Sequence, residues 1–270
     1  MGQSAAIALV EVWGQVDTLL EEGRRACKPV QVEDALFRLF RHGYIEECYF
    51  SSTFLPLVEG DGRVVGFYES VIETTKRIVT DRRAKVLRKL KEQITLGRSL
   101  QDFWDQVREI LREVPGDVPQ ANLYAFHELD SKEPATSNLQ HPRDVLEYGS
   151  LGLDVWESRE DMIFTFLRAC ESTEPIILDV REPHSPASPS KRAKHQEDRF
   201  HIARQKVILS PLRLSDELKT VNYFVMGTNP QRPLDEGYID FAKSLSNVLV
   251  VSLKSIISAQ ESEAEQAMLE

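Results

Sequence analysis

Cysteine and histidine are scarce in this chain, with three and six occurrences among 270 residues. Cys27, Cys48 and Cys170 are odd in number and far apart, which excludes a disulfide framework and a CxxC metal knuckle. Isolated thiols are typical of a reducing compartment, and the histidines lack the spacing of a metal site. We therefore expect a cytoplasmic protein with no metal and no cofactor.

Long apolar runs and an excess of positive charge are also missing. No stretch approaches the ~20 apolar residues of a membrane span, and residues 1–20 lack the pattern of a secretory signal. The net charge is −10, from 33 basic and 43 acidic residues. Such a charge opposes non-specific binding of the whole chain to nucleic acid or anionic lipid. We expect neither nucleic acid nor membrane as a partner.

What is present predicts a folded chain. Hydrophobic residues make up 41% and charged residues 28% of the sequence. This composition is typical of soluble globular proteins, and the length predicts about two domains.

Residues 1–75 combine one helical pattern with three strand patterns. Apolar residues recur every three or four positions from Leu9 to Leu20, which predicts an amphipathic helix. Arg41-His42-Gly43 predicts one turn, and Asp61-Gly62 is a strong hairpin signal because glycine accepts a positive φ. Around these turns the alternation of side chains predicts strands at 30–40, 48–58 and 64–72.

Residues 76–98 form a predicted helical linker, with apolar residues at helical spacing from Val79 to Ile94. Nine basic against two acidic residues give this segment a net charge of +7. Two interpretations are open: a contact for nucleic acid or phosphate, or a solvated face whose cations pair with acidic neighbours. We favour the second. The basic residues are Lys76, Arg77, Arg82, Arg83, Lys85, Arg88, Lys89, Lys91 and Arg98.

Residues 99–258 mix helices and strands, which indicates an α+β domain. Ser99 is a predicted N-cap, and a broad apolar helix is predicted from Asp235 to Ala259. The Pro/Ser/Lys-rich stretch 183–199 predicts a mobile insertion, and 259–270 a helical tail that ends without a cap. Elsewhere in this domain the sequence predicts strands at 121–129, 145–151, 175–180, 206–214 and 220–228, and a helix at 162–170.

The stretch His42–Phe50, the turn Asp61-Gly62-Arg63 and the segment Glu73-Thr74-Thr75 resemble the C-terminal half of the PAS domains of sensor histidine kinases. In that family the last two strands form a hairpin around a DG turn, and an Asp-x-Thr-like motif leads into a signalling helix. The resemblance implies that Glu73 and Thr75 relay a signal by clamping that helix to the hairpin. It also implies that Met1 lies mid-domain and that the truncated sheet exposes an edge and an apolar face.

The stretches Lys206–Leu212, Tyr223–Gly227 and Asn229–Tyr238 resemble a GAF domain covering residues 99–258. The family's fold implies a central antiparallel sheet with helices against one face, and first and last helices that pack together and often dimerise. Half of a PAS domain, a helical linker and a GAF domain in series, with a low-complexity insertion, are similar to the input region of a fungal-type hybrid sensor histidine kinase.

This resemblance implies a non-catalytic sensory and dimerisation module of a two-component phosphorelay. Its implied partners are a second copy bound through the terminal helices, a kinase core or response regulator, and a small molecule of unknown identity. The alternative is a stand-alone PAS/GAF interaction protein that heterodimerises with intact kinases. An enzyme that uses the GAF pocket has no candidate residues, so we name no catalytic residue.

Two further motifs each allow two interpretations. His127-Glu128-Leu129-Asp130 begins like the phosphoacceptor box of histidine kinases, but its fourth residue and its predicted strand favour a strand-end histidine. Ser185 and Ser188, each followed by proline and close to the basic stretch 191–194, are candidate phosphosites beside a weak nuclear import patch. A solvated insertion is the favoured interpretation there.

Overall fold

The computed structural model describes residues 4–94, 99–127, 145–150, 165, 169, 172, 174–179, 206–213 and 220–269. These residues divide into two compact units, and the division falls between Arg82 and Arg83. The α+β class predicted from the sequence is confirmed, since both units contain an antiparallel sheet and helices.

The first unit is a three-stranded antiparallel sheet in the order β1-β2-β3. One short and one long helix precede it, and a third helix follows. The elements are α1 (Ala5–Ala8), α2 (Trp13–Ala26), β1 (Val30–Arg41), β2 (Tyr44–Val58), β3 (Val64–Glu73) and the start of α3 (Thr75–Gln93).

Both predicted turns of the first unit are confirmed. His42 and Gly43 have φ values of 58° and 87°, and Gly62 has a φ of 85°. In the second turn the Glu59 amide donates a hydrogen bond to the Arg63 carbonyl, at 3.0 Å. Each turn has a glycine at a position of positive φ, which is why these turns could be located from the sequence.

Helix α2 covers one face of this sheet. Val12 and Val16 pack against Phe54 there, with the partly buried Phe37 and Phe67 at the margin. A one-residue bulge in β1 lies between Val32 and Ala35. The extra residue reverses the alternation of side chains along β1. Even-numbered residues before the bulge and odd-numbered residues after it therefore lie on the face that α2 covers.

The second unit contains a five-stranded antiparallel sheet in the order β5-β4-β8-β7-β6. The last half of α3 belongs to this unit, as do two further helices. The elements are α4 (Leu100–Arg112), β4 (Gln120–His127), β5 (Val145–Ser150), β6 (Ile176–Asp179), β7 (Lys206–Leu212), β8 (Thr220–Gly227) and α5 (Glu236–Leu269).

The core of the second unit joins α4 and α5 to one face of the sheet. Phe103 and Trp104 of α4 pack in the same cluster as Leu245 and Leu249 of α5. This is the arrangement that the GAF resemblance implied, a central antiparallel sheet with its first and last helices together on one face. Ser99 caps α4 as predicted, since its Oγ accepts the Asp102 amide at 3.0 Å.

Helix α3 contributes to the same core. Val86, Leu90 and Ile94 are buried within the cluster formed by α4, α5 and the sheet. The segment predicted as a linker therefore supplies core residues from Arg83 onward. Helix α5 continues to Leu269, so the predicted tail is helical. Of the predicted helix 162–170 only two residues are described, and the insertion 183–199 lies outside the described residues.

One helical segment within the described residues, Glu236–Gln260, is long and apolar enough by length and composition to cross a membrane. Half of its most apolar stretch is buried inside the second unit. Core helices of soluble proteins meet the same criterion, so this feature is weak evidence for a membrane span.

Candidate functional site

The structure brings Glu73 and Thr75 together at the end of β3 and the start of α3. The Thr75 hydroxyl donates to Glu73 Oε1 at 2.8 Å, and it accepts the Tyr49 amide at 2.8 Å. The Thr74 amide donates to the Tyr49 carbonyl, also at 2.8 Å. The two backbone groups of one β2 residue therefore hold the first turn of α3. We call Glu73, Thr74 and Thr75 the β3–α3 junction.

Arg41 at the end of β1 completes the junction. Its Nη1 and Nη2 donate to the two carboxylate oxygens of Glu73 at 3.0 and 2.6 Å. Its Nε donates to Glu46 Oε2 at 2.5 Å, and Glu46 is buried. A bidentate contact fixes both the position and the orientation of a carboxylate. The Glu73 carboxylate accordingly raises the pKa of Arg41 further above its usual range.

Arg82 ties the second part of the helix to the same strand. Its Nη1 donates to Glu47 Oε1 at 2.9 Å, and the Tyr49 hydroxyl donates to the same oxygen at 2.7 Å. Burial is the main cause that raises the pKa of Tyr49. Helix α3 is thus held to β2 near both ends of its Thr75–Arg82 portion.

A more exposed ion pair lies between α3 and the β1 bulge. Arg77 Nη2 donates to both carboxylate oxygens of Asp34, at 2.6 and 2.7 Å. This pair lowers the pKa of Asp34. It borders an open, largely polar depression of about 290 Å³ on the sheet face opposite α2, lined by Gln31, Val32, Glu33, Asp34, Ser51, Ser52, Thr53, Ser70, Ile72 and Arg77.

These contacts give acidic partners to part of the basic helix. Four of its cations form ion pairs with carboxylates within their own unit: Arg77 with Asp34, Arg82 with Glu47, Arg83 with Asp117 and Lys89 with Glu113. Pairing with acidic neighbours, which the second interpretation predicted, is therefore found for these four of the nine cations.

The second unit has its own polar cluster, the Arg83 node, made of Arg83, Asp117 and Tyr238. Arg83 Nε donates to Asp117 Oδ1 at 2.9 Å, with side-chain exposures of 11% and 1%. The guanidinium carbon lies 4.5 Å from the centre of the Tyr238 ring. The Tyr238 hydroxyl donates to the Asp117 carbonyl and accepts the Asn229 amide. Helix α3 is thereby joined to the first turn of α5.

Burial of the Arg83 node gives a pH prediction. Desolvation raises the pKa of Tyr238 to about 12 from 10. As the pH rises, the Tyr238 hydroxyl ionises in the unfolded chain before it ionises in the folded one. The stability that this hydroxyl contributes is therefore complete below pH 10 and is lost as the pH rises to 12. We expect the stability difference between wild type and Tyr238→Phe to shrink by about 2–3 kcal/mol over that range in urea titrations. A difference independent of pH would contradict this assignment.

The junction gives a second prediction, for Thr75→Val. Valine has a similar shape but cannot accept the Tyr49 amide, which we expect to cost about 1–3 kcal/mol of stability in the first unit. Hydrogen exchange at Tyr49 and in the first turn of α3 measures the effect. Thr75→Ser keeps the hydroxyl and serves as the control, with at least half of the protection retained. Equal exchange in the two variants would contradict the role of the hydroxyl.

The sheet face opposite α4 and α5 carries polar groups inside the second unit. Asn122 Nδ2 donates to the Tyr124 hydroxyl at 2.6 Å, and both residues are buried. In the strand register Tyr124 lies opposite Tyr223, which is also buried. An amide and two phenols therefore lie close together on this face of the sheet.

The structure describes some of the remaining candidate residues and not others. His127 is the last residue of β4, as the strand-end interpretation predicted. Ser185 and Ser188 lie outside the described residues. Cys27 is exposed and Cys48 is buried, and both are free thiols. Within the ranges that the structure describes, no three His, Cys, Asp or Glu residues are grouped so as to hold a metal.

The sequence pointed to Glu73 and Thr75 but not to the ion pairs of Arg41, Arg82 and Arg83. Arg41 is 32 residues from Glu73, and Arg83 is 34 residues from Asp117. No local spacing relates residues so far apart. The excess of cations in α3 was the available signal, although it does not identify their acidic partners.

Comparison with known proteins gives structural likenesses only. No family model and no curated protein matches the chain. Among solved structures, the nlh2 GAF domain of A. Aeolicus is 13% identical with a TM-score of 0.38, over 67% of this chain and 99% of its own. The GAF domain of a phosphoenolpyruvate-protein phosphotransferase from Coxiella burnetii is 18% identical with a TM-score of 0.36, over 68% and 98%.

A third structure with a similar likeness is the phycocyanobilin-bound GAF domain of a cyanobacterial phytochrome. It is 15% identical with a TM-score of 0.39, over 64% of this chain and 94% of its own. We assign the architecture of the second unit from its strand order and from the packing of α4 and α5.

Proposed function

We propose that this protein is a non-catalytic sensory module in which helix α3 couples the state of the first unit to the second. The observation that carries the proposal is the pair of consecutive arginines in α3. Arg82 is bound to Glu47 in the first unit, and Arg83 is bound to Asp117 in the second. Adjacent residues of one helix therefore belong to the polar networks of two different units.

The physical basis of coupling is a helix whose two halves have different partners. A change that loosens the β3–α3 junction removes contacts from the N-terminal half of α3. The other half buries Val86, Leu90 and Ile94 next to α5. A small shift or rotation of α3 would then change core packing, and packed cores respond by switching between discrete arrangements.

We further propose that the module is the input region of a two-component phosphorelay. The resemblance of residues 42–75 to PAS domains and of residues 99–258 to GAF domains supports this assignment. We propose that its output passes through α5 to a kinase core or response regulator. Apolar Val251, which is 68% exposed on α5, is suited to pairing this helix with that of a second copy.

Fusion of the chain to a histidine kinase core tests this proposal. We expect Glu73→Gln with Thr75→Val to change autophosphorylation several-fold, because the junction sets the position of α3. The matched control is Glu59→Gln with Arg63→Gln, which removes an exposed ion pair at the tip of the same hairpin. Unchanged activity in the first variant would overturn the coupling. Binding of the unfused chain to intact kinases would instead favour the stand-alone interaction protein.

A further inference from the structure

The depression on the sheet face opposite α2 has a floor of polar side chains. In the strand register Thr53 of β2 lies between Gln31 of β1 and Ser70 of β3, and all three line the depression. Neighbouring strands are about 4.8 Å apart, so the three side chains span about 10 Å across the sheet. None of them forms a side-chain hydrogen bond with a residue that the structure describes. Their donors and acceptors are therefore open to a bound molecule.

The β1 bulge places two carboxylates beside this floor. Because the bulge adds one residue, the consecutive residues Glu33 and Asp34 both lie on the face opposite α2 and line the depression. Asp34 is bound by Arg77 and by the Ser51 hydroxyl. Glu33 is exposed and has no ion pair or hydrogen bond within the described ranges. Two carboxylates and one guanidinium leave the depression with an excess negative charge, which Glu33 carries.

These groups define the chemistry of a suitable ligand. An ammonium group has three donors and no acceptor, so it complements the carboxylate of Glu33, which only accepts. The hydroxyl and carboxamide side chains of the floor both donate and accept, as ligand hydroxyls do. Val32 and Ile72 are the apolar residues of the lining, so an apolar molecule would gain little there. A volume of about 290 Å³ limits the ligand to a small molecule.

We propose that this depression binds a small hydroxylated amine, of the chemical class of the amino sugars. Its ammonium group binds the Glu33 carboxylate, and its hydroxyls bind Thr53 and Ser70. Ile72 and Arg77, which also line the depression, lie on either side of the β3–α3 junction. A bound molecule would therefore act on the start of α3, a consequence that rests on the proposed function, whereas the binding itself does not.

Titration of the full chain with glucosamine, followed by amide chemical shifts, tests the site. At about pH 6, where an aliphatic amine carries its proton, we expect saturable shifts in residues 31–34, 51–53 and 70–72. The dissociation constant should lie in the millimolar range, because each exposed polar contact contributes little. Glucose has the hydroxyls without the charge, and cyclohexylamine has the charge without the hydroxyls. Each should bind at least about threefold more weakly than glucosamine.

Variants assign the binding to the named groups. Glu33→Gln should weaken glucosamine binding about fivefold, and Thr53→Val with Ser70→Ala at least about fivefold. The matched control is Glu69→Gln, which removes an exposed carboxylate from the α2 face of the same sheet and should leave binding unchanged.

The proposal is overturned by shifts that do not saturate, by equal binding of the three compounds, or by equal affinities of Glu33→Gln and Glu69→Gln. These results concern the first unit alone and leave the proposed coupling through α3 untouched. Saturable binding of glucosamine that leaves hydrogen exchange in residues 83–94 unchanged would support the site and contradict the coupling.

Discussion

Replacing Arg83 with alanine is expected to destabilise the second unit by about 3–5 kcal/mol, because it leaves the Asp117 carboxylate buried without its cation. Asp117 is 1% exposed and its partner 11%, so the pair is largely shielded from water. The substitution also removes the stacking on Tyr238. Urea titration of the full chain, with hydrogen exchange in α5 to identify the transition of the second unit, measures the loss.

Two further variants separate charge burial from simple loss of contacts. Lys89→Ala removes a more exposed ion pair with Glu113 from the same helix and should cost less than about 1 kcal/mol. Arg83→Ala combined with Asp117→Asn should recover part of the stability, because no buried charge remains unpaired. Equal losses for Arg83→Ala and Lys89→Ala would show that the Arg83 node is not a buried charge pair.

Leu90→Ala should lower the stability of the second unit by about 2–5 kcal/mol, because it opens a cavity in a core that closes completely around this side chain. Leu90 has no exposed surface and belongs to the cluster that contains α4 and α5. Leu87, which is only partly buried on the same helix, is the matched control and should cost clearly less. The same titration and exchange measurements apply.

Fragments test the same point without substitution. A chain of residues 99–270 lacks Val86, Leu90 and Ile94, whereas one of residues 83–270 keeps them. We expect the longer fragment to melt cooperatively and the shorter one at a clearly lower temperature. Equal melting temperatures, together with a small effect of Leu90→Ala, would mean that α3 is a linker outside the core of the second unit.

Turns and caps could be predicted from the sequence because single residues determine them. The hairpin at Asp61-Gly62 and the cap at Ser99 follow from the backbone freedom of glycine and the hydrogen-bonding reach of serine. The α+β class followed from alternating apolar patterns. The helices that form the core of the second unit could likewise be predicted from the spacing of their apolar residues.

The polar networks could not be predicted, since they join residues that only the fold brings together. Glu73 is bound by Arg41 on the far strand, and Arg83 by Asp117 in a loop between α4 and β4. Many pairings of the same charges were compatible with the sequence. The β1 bulge had a similar effect, because one extra residue after Val32 hides the alternation on which strand prediction relies.

Coupling between the two units requires that α3 carry a change from the β3–α3 junction into the second unit. Hydrogen exchange of the full chain, compared between wild type and the variant Glu73→Gln with Thr75→Val, tests this most directly. We predict faster exchange in residues 75–82, in residues 83–94 and around Tyr238. Faster exchange confined to residues 44–82, with the second unit unchanged, would contradict coupling through the helix.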